Sequence, residues 1–531
     1  MSALVGTRHL VRLALRRDRV VLPIWVLVIG LLPVTSAGAY GQLYPDAASR
    51  ASLTAGMSAN PSITLLYGPP FDLSTAGGFT AWRYGVFAPL FLALACIFTV
   101  TRHTRQEEDT GRQELLSSAV TGRYSALTAA VVTAGIGAVA TGLLVALGLT
   151  GAGLPAGGSV AFGLGITLTG LVFAAVAAVA AQLAEYSRTA NGIAAGVLGV
   201  AFALRAIGDA ATDASWLSWL SPLGWATRLR PYAGDRWAVA LLLLAAALVL
   251  GLVAYRLLPR RDVGMGLFPA RPGPPVAAPG LRSPFALAWR LHRGALLGWI
   301  AGFAVFGAMF GSLAAGIGDI VGDSAQTQQM LERLGGAQNL IDTFLAAIAN
   351  IFGMIASVYA VQATMRMRAE ETALRLEPLL ATRVRRLQWA AGHLVFSLLG
   401  TALLLVVSGL FAGLLHGLRV GDVGGQIPAV IGATVAQVPA VWVVTGITVV
   451  VFGFAPRFAT ATWAVPGLFV LLSLFGPVVQ APQPVLDISP FTHIPKLPAA
   501  EFTATPFAWL LGIAVITLAT GLARFRRRDI G

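Results

Sequence analysis

Along this chain, apolar residues run for ~20 positions at a time between short polar breaks, the length that carries a helix across a ~30 Å hydrocarbon layer. In the first half the pattern predicts spans near Val20–Tyr40, Tyr84–Thr101, Ala126–Leu149, Val160–Leu183, Asn191–Ile207 and Ala238–Leu257. In the second half it predicts spans near Gly294–Ile317, Ile341–Thr364, Trp389–Leu414, Ile427–Phe452, Thr460–Val479 and Phe507–Ala523. Ahead of the first span, Leu10, Leu13 and Val20 alternate with Arg12, Arg16 and Arg19 at helical spacing, as in a helix lying in the membrane interface. A polar segment from about 41 to Arg83 is expected outside the membrane. The Trp-rich stretch Ser215–Trp225 predicts an interfacial or re-entrant helix, because Trp and Tyr favour the headgroup level.

Two charged stretches interrupt the pattern at equivalent places, after the second and the eighth span. They run from Arg105 to Arg123 and from Arg368 to Arg386. Laid over each other without gaps, they match at Arg105/Arg368, Glu107/Glu370, Glu108/Glu371, Arg112/Arg375, Glu114/Glu377, Leu116/Leu379 and Arg123/Arg386. Other echoes share nearly the same offset. Arg290 and Arg293 follow Arg16 and Arg19, Ser489-Pro490 follows Ser221-Pro222, Arg457 follows Arg188, and Arg527-Arg-Asp-Ile-Gly531 follows Arg260-Arg-Asp-Val-Gly264. A single offset of about half the chain identifies a tandem duplication. It divides the sequence into a six-span unit over 1–265, a Pro-rich linker over 266–283, stiff and extended, and a second six-span unit over 284–531. The expected fold is an all-α membrane protein of twelve transmembrane helices, two parallel six-helix repeats, each with an interfacial elbow helix and a coupling helix on the cytoplasmic side. An even number of spans per repeat gives both the same orientation, with the pseudo-two-fold axis along the membrane normal.

Composition sharpens this. Of 531 residues 56% are hydrophobic and 11% charged, and the mean hydropathy is +0.76. A soluble domain carries roughly 25% charge, so lipid is the main solvent. The net charge of +14 is almost all arginine. Placing both termini in the cytoplasm puts most of these residues on the inner side, as the positive-inside rule asks, and makes the chain a multi-pass protein of the bacterial cytoplasmic membrane. The charge then reports topology, and no nucleic-acid partner is expected. Cys96 is alone in an apolar run and reads as packing.

Energy supply is the next question. A phosphate-binding P-loop needs a lysine after its glycines, and the only lysine, Lys496, follows Ile494-Pro495 in an expected outer loop. No Asp or Glu falls in the middle of a predicted span. Asp209, Asp319 and Asp342 lie at or beyond outer ends, and His393 is the lone ionisable candidate. Ion-coupled transporters usually keep such groups within their spans. A proton-driven twelve-span antiporter is therefore the weaker alternative, and a membrane enzyme built around Asp487 and His493 lacks a recognisable triad or metal spacing. No catalytic residue, metal site or cofactor is expected in this chain.

A permease without an engine needs an external one, and the two charged stretches are the places to couple to it. Glu107, Glu108, Gly111, Arg112, Glu114 and Arg123 in the first copy, with Glu370, Glu371, Arg375, Glu377 and Arg386 in the second, form the candidate coupling site. Glu108–Arg112 and Glu371–Arg375 are spaced as i,i+4 pairs that would support a helix. Leu115, Leu116, Ala119 and Val120, like Leu379 and Leu380, offer a partner an apolar side. A helix breaker falls near the middle of each copy, Gly111 in one and Pro378 in the other.

The run of Glu107 or Glu108, Gly111, Arg112, Glu114, Leu115, Leu116 and Arg123, together with Ser221-Pro222-Leu-Gly-Trp225 and Arg230-Pro-Tyr-Ala-Gly-Asp-Arg-Trp237, resembles permeases of the ABC-2 exporter superfamily. Within it the chain is similar to the actinobacterial tetronasin-resistance-type branch, in which two six-span units are fused. The resemblance implies an elbow helix and a coupling helix in each half and two copies of a separate P-loop ATPase holding ATP and Mg. It also implies export of small hydrophobic antibiotics or drugs, with a lipid-like cargo as the alternative. In the second copy Leu374 replaces Gly111 and Pro378 replaces Leu115, which predicts a less regular docking site. The resemblance further implies a path between the halves along spans two, five, eight and eleven. Its candidate lining is Phe87, Phe91, Phe98, Phe202, Phe352, Met354, Phe469 and Phe475, residues suited to an adaptable apolar pocket. Arg205, near the outer end of span five, is expected to pair with Asp209 or to meet an anionic drug.

Overall fold

The structure is a computed structural model, and it describes residues 3–58, 61–118, 121–210, 212–268, 273, 275–315, 336–475 and 482–529. Among these residues every regular element is helical, and eleven helices are long and apolar enough to cross a membrane. Contacts gather the chain into two compact units, Met1–Gly273 and Pro274–Gly531. The division falls in the Pro-rich stretch.

In the first unit, amphipathic α1 (Thr7–Arg17) leads through Asp18 into α2 (Val21–Leu43). The polar segment before the second span folds into α3 (Ala47–Ser58), α4 (Pro61–Tyr67) and α5 (Ala76–Tyr84), helices that the sequence pattern did not predict. Thr75 caps α5 by accepting from the Gly78 N–H at 3.0 Å. Tyr40, Tyr44, Phe79 and Trp82 pack together over it. The apolar side of this segment is spread over aromatic residues too far apart in sequence to show as a run.

After α6 (Phe87–Arg102) come two short helices, α7 (Arg105–Asp109) and α8 (Arg112–Ser117), in the first charged stretch. The antiparallel pair α9 (Ser125–Gly151) and α10 (Ala156–Leu183) follows. α10 is the axis of the unit, packed against α6, α9 and α13. It can be so central because small residues let backbones approach. A Cβ at Gly163 would collide with the Gly142 carbonyl of α9, and one at Gly142 with Thr167 and Gly163. α11 (Ser187–Ala210), a 3-10 helix at Thr212–Leu220, α12 (Pro222–Arg228) and α13 (Trp237–Leu257) complete the unit. The expected interfacial segment is thus the 3-10 helix plus α12. It is held by Ser221, which accepts from Gly224 N–H at 3.3 Å and donates to the Ala201 carbonyl at 2.7 Å.

The second unit contains α14 (Pro284–Ala315), α15 (Gly336–Thr372), α16 (Leu376–Leu380), α17 (Arg386–Val420), α18 (Val423–Val435) and α19 (Val438–Phe454). A 3-10 helix at Pro456–Trp463, α20 (Ala464–Phe475), α21 (Gln483–Leu486), a 3-10 turn at Pro490–His493 and α22 (Ala504–Arg527) end it. α18 and α19 together form the predicted tenth span, bent at Ala436–Gln437 just before Pro439, whose missing N–H cannot continue the ladder. α19 and α22 meet through Gly453 and Gly521, where either glycine would drive a Cβ into the other helix's backbone.

Two expectations change. The second elbow is not a separate helix: Arg290 and Arg293 lie inside continuous α14, because no break equivalent to Asp18–Val20 separates them from the span. The eleventh predicted span begins as the 3-10 helix and continues as α20, only 12 residues long. Its predicted end at 476–479 lies outside the described residues, as do Ile317, Asp319, Ala119 and Val120.

Candidate functional site

The charged stretches lie where spans end with orphan carbonyls, and arginines such as Arg105 and Arg386 collect some of them. In the first unit Arg105, fully buried, donates through Nε to the Ala181 carbonyl in the last turn of α10 and through Nη2 to the Met265 carbonyl at 2.9 Å. Its Nη1 reaches Glu108 at 2.9 Å. Glu108 is clamped from the far side by Arg261, whose Nη2 and Nη1 lie 2.7 and 2.9 Å from the two carboxylate oxygens. The Gly264 N–H adds a bond at 3.0 Å. Arg261 also donates from Nε to Gln182 Oε1 at 2.7 Å. The N–H groups of Leu267 and Phe268 then bond the carbonyls of Gln182 and Leu183. The tail after α13, including the first residues of the expected linker, is therefore stitched across the end of α10 and onto α7.

The neighbouring Glu107 points the other way. Arg17 of α1 contacts it at 2.5 Å, while Asp18 binds Arg102 at 2.8 Å and His103 at 2.6 Å. Burial alone would raise the Asp18 pKa, but the His103 hydrogen bond and charge, with Arg102 and Arg17, overcome it and hold the carboxyl below its ordinary value. Arg123 donates to the Pro259 carbonyl at 2.8 Å, at the end of α13.

The second unit repeats the plan with different detail. Glu371 receives Arg528 at 2.7 Å and Arg368 at 3.4 Å. Arg528 lies over the rings of Phe452 and Phe525, 4.7 and 5.3 Å from their centroids. Arg386 donates to the carbonyls of Arg528 at 2.6 Å and Arg526 at 3.3 Å. Glu370 pairs with Arg366 at 2.8 Å and Arg375 at 3.6 Å. The echo of Arg261 by Arg528 and of Arg123 by Arg386 is thus an echo of contacts.

These geometries correct the expected i,i+4 pairs. Glu108 is held by Arg105 and Arg261, not by Arg112, and Glu371 by Arg368 and Arg528, not by Arg375. Of the candidate residues, Glu107, Glu108, Glu370 and Glu371 face inward. Arg112, Glu114 and Leu115 remain exposed in the first copy, as do Leu374, Arg375 and Glu377 in the second. The side chain of Leu116 is outside the described residues. The loss of glycine at Leu374 does not change the turn: Gly111 has φ 70° and Leu374 φ 54°, both left-handed.

The expected path residues separate into three groups. Phe352, Met354 and Phe469 are buried in the core of the second unit. Phe98 and Phe91 are exposed, and Phe87 and Phe91 line a cavity of about 480 Å³ in the first unit. Phe202 lies under the Arg205 guanidinium, 4.7 Å from its centre, and the Phe475 side chain lies outside the described residues. Arg205 itself has no exposed surface. It donates to the carbonyls of Leu65 at 3.0 Å and Leu66 at 3.3 Å, at the end of α4, and approaches Asp209 at 3.9 Å. Asp209 is shared with Arg228 at 2.9 Å and Ser218 at 2.6 Å. Arg205 ties α4 to α11 through these bonds. His393 also has a partner that the sequence did not suggest, His292, at 2.9 Å within the second unit.

A family profile described as the C-terminal domain of the multidrug efflux system permease Rv1217c matches residues 281–526. The chain is also 46% identical over 530 residues to the multidrug efflux system permease protein Rv1217c of Mycobacterium tuberculosis (strain ATCC 25618 / H37Rv), covering 100% of this chain and 96% of that protein.

Proposed function

The chain belongs to the family of the multidrug efflux permease Rv1217c, and from this premise we propose that it is the membrane permease of an ATP-driven exporter of small hydrophobic drugs or antibiotics. The observation that carries the proposal is the end-to-end similarity to a multidrug efflux system permease. The absence of a P-loop lysine in the sequence supports an engine on another chain. In this reading both termini and both charged stretches face the cytoplasm, and two copies of an ABC ATPase bring ATP and Mg. The exposed Arg112, Glu114 and Leu115, with Leu374, Arg375 and Glu377, receive the ATPase. The buried Glu108–Arg261 and Glu371–Arg528 pairs pass its motion to the last span of each unit, because a clamped pair moves as one body. The chain itself performs no catalysis.

The test is transport by the chain reconstituted in vesicles with and without its ATPase subunit. Uphill drug movement should need the ATPase and ATP and should survive collapse of the proton gradient. A proton-driven reading draws on the buried His292–His393 pair. It requires vigorous uphill movement by the chain alone under an ion gradient, and that result would overturn the proposal.

A further inference from the structure

The cavity lined by Phe87 and Phe91 has at its rim a cation, Arg83, with no ion-pair partner among the described residues. It lies between α2 and the bent α5–α6 segment, with Trp25, Tyr67, Tyr84 and Arg83 completing its walls. At about 480 Å³ it falls within the roughly 300–1,000 Å³ typical of small-molecule sites. It opens along one side, where Val28, Leu32 and Phe91 are exposed. Depth can be read from the Asp18–Arg102 ion pair, which sets the charged ends of α2 and α6 at one level. At 1.5 Å rise per residue, Trp25 stands about 10 Å above that level and Phe87, where α6 begins, about 22 Å, with Arg83 about one turn before it in the chain. The cavity is a slot, aromatic in its depth and cationic at its outer end.

Arg83 is exposed. Its guanidinium rests over the Phe79 ring at 5.8 Å, and no ion pair among the described residues includes it. Arg205 and Arg228, by contrast, are paired with Asp209. A cation at the rim of an apolar slot lacks a counter-ion, and the best ligand supplies one along with an apolar body.

We infer that this slot binds amphipathic organic anions, the carboxylate or phosphate at Arg83 and the apolar portion between Trp25 and Phe91. The inference deepens the exporter reading by naming a cargo class, and depends on it only for physiological sense. The shared anion chemistry has two sources, a free amphiphile or the headgroup of an anionic lipid.

The full chain is placed in phosphatidylcholine nanodiscs and titrated with 11-bromoundecanoate, whose bromine quenches tryptophan, and with its neutral methyl ester. The parent should prefer the carboxylate about tenfold. Arg83→Gln should erase that preference, Arg83→Lys should restore most of it, and Trp25→Phe should cut the quenching amplitude while leaving the preference intact. Added phosphatidylglycerol that competes with the carboxylate in the parent assigns the slot to lipid; no competition assigns it to free amphiphiles. Equal binding of acid and ester by the parent, or an unchanged preference in Arg83→Gln, overturns the inference. The titration needs no ATPase. An intact preference without ATP-driven transport therefore sinks the exporter reading alone, and the converse sinks only this inference.

Discussion

Replacing Glu108 with glutamine separates a fold lock from a docking residue. The glutamine keeps the shape and one acceptor oxygen, but turns an amide NH2 toward a guanidinium. The carboxylate it replaces accepts from Arg105 at 2.9 Å, from Arg261 at 2.7 and 2.9 Å and from Gly264 at 3.0 Å. Arg105 has no exposed side-chain surface, and Glu108 and Arg261 are buried. Breaking a buried pair by neutralising one partner costs roughly 3–5 kcal/mol, and one hydrogen bond to a charged group contributes about 1.5–3 kcal/mol. Since glutamine retains one good acceptor, we expect Glu108→Gln to lower stability by about 3 kcal/mol. Thermal unfolding of the purified chain in detergent reads this. A cycle with Arg261→Gln should return a coupling energy of about 1–3 kcal/mol. Glu114→Lys, on an exposed site, should stay within about 0.5 kcal/mol of the parent while depressing drug-stimulated ATP hydrolysis in the complex. A Glu108→Gln chain as stable as the parent, or additive cycle values, would refute the lock. Undiminished stimulation in Glu114→Lys combined with Glu377→Lys would refute the docking role.

Leu374→Gly should stabilise the chain by about 1 kcal/mol in the same unfolding assay, because a left-handed non-glycine residue costs roughly 1–2 kcal/mol and Leu374 sits at φ 54° while exposed. Arg205→Met should destabilise by roughly 2–4 kcal/mol yet leave the ratio of anionic to neutral drug transport unchanged, since the guanidinium is sequestered against α4; an altered ratio would return it to the path. Asp18→Asn should cost stability at neutral pH. The folded carboxyl has a depressed pKa, so its contribution is complete above the ordinary value of 3.8 and disappears as pH falls through the folded one. Parent and variant unfolding curves should converge in acid, and a constant gap at every pH would sink that attribution.

The spans were readable because apolar runs need no knowledge of partners. Ten of their predicted centres fall inside single long helices, and the tenth falls in the bent α18–α19 pair. The elements that escaped were those whose apolar side is discontinuous, such as α3 to α5, where Tyr40 of α2 and Tyr44 just past its end meet Phe79 and Trp82 of α5. Arg205 was half legible. Its i,i+4 neighbour Asp209 was visible, but its nearer acceptors, the carbonyls of Leu65 and Leu66, come from a segment 139 to 140 residues away that sequence left as a connection.

The charged stretches carry the sharper lesson about what matched positions mean. An identity shared by the two stretches can answer to a partner outside the chain or to a contact inside it, and local spacing cannot tell them apart. Here the clamp on Glu108 comes from 153 residues away and that on Glu371 from 157. Both come from the arginine pairs whose echo was visible but unexplained in the sequence. Arg105/Arg368, Glu108/Glu371 and Arg123/Arg386 are accounted for by these internal bonds, and Glu107/Glu370 by different local partners, Arg17 in one unit and Arg366 in the other. Subtracting them leaves three pairs, of which Leu116/Leu379 is apolar and Arg112/Arg375 and Glu114/Glu377 are exposed charges. Of these, among the described residues, only Arg375 has an ion pair, a long one to Glu370 at 3.6 Å whose arginine is largely exposed, and a solvent-screened contact of that kind contributes at most about 1 kcal/mol. The remaining charged identities have little reason to persist for folding, so it is Glu114 and Glu377, with Arg112, whose substitution should silence coupling without loosening the fold.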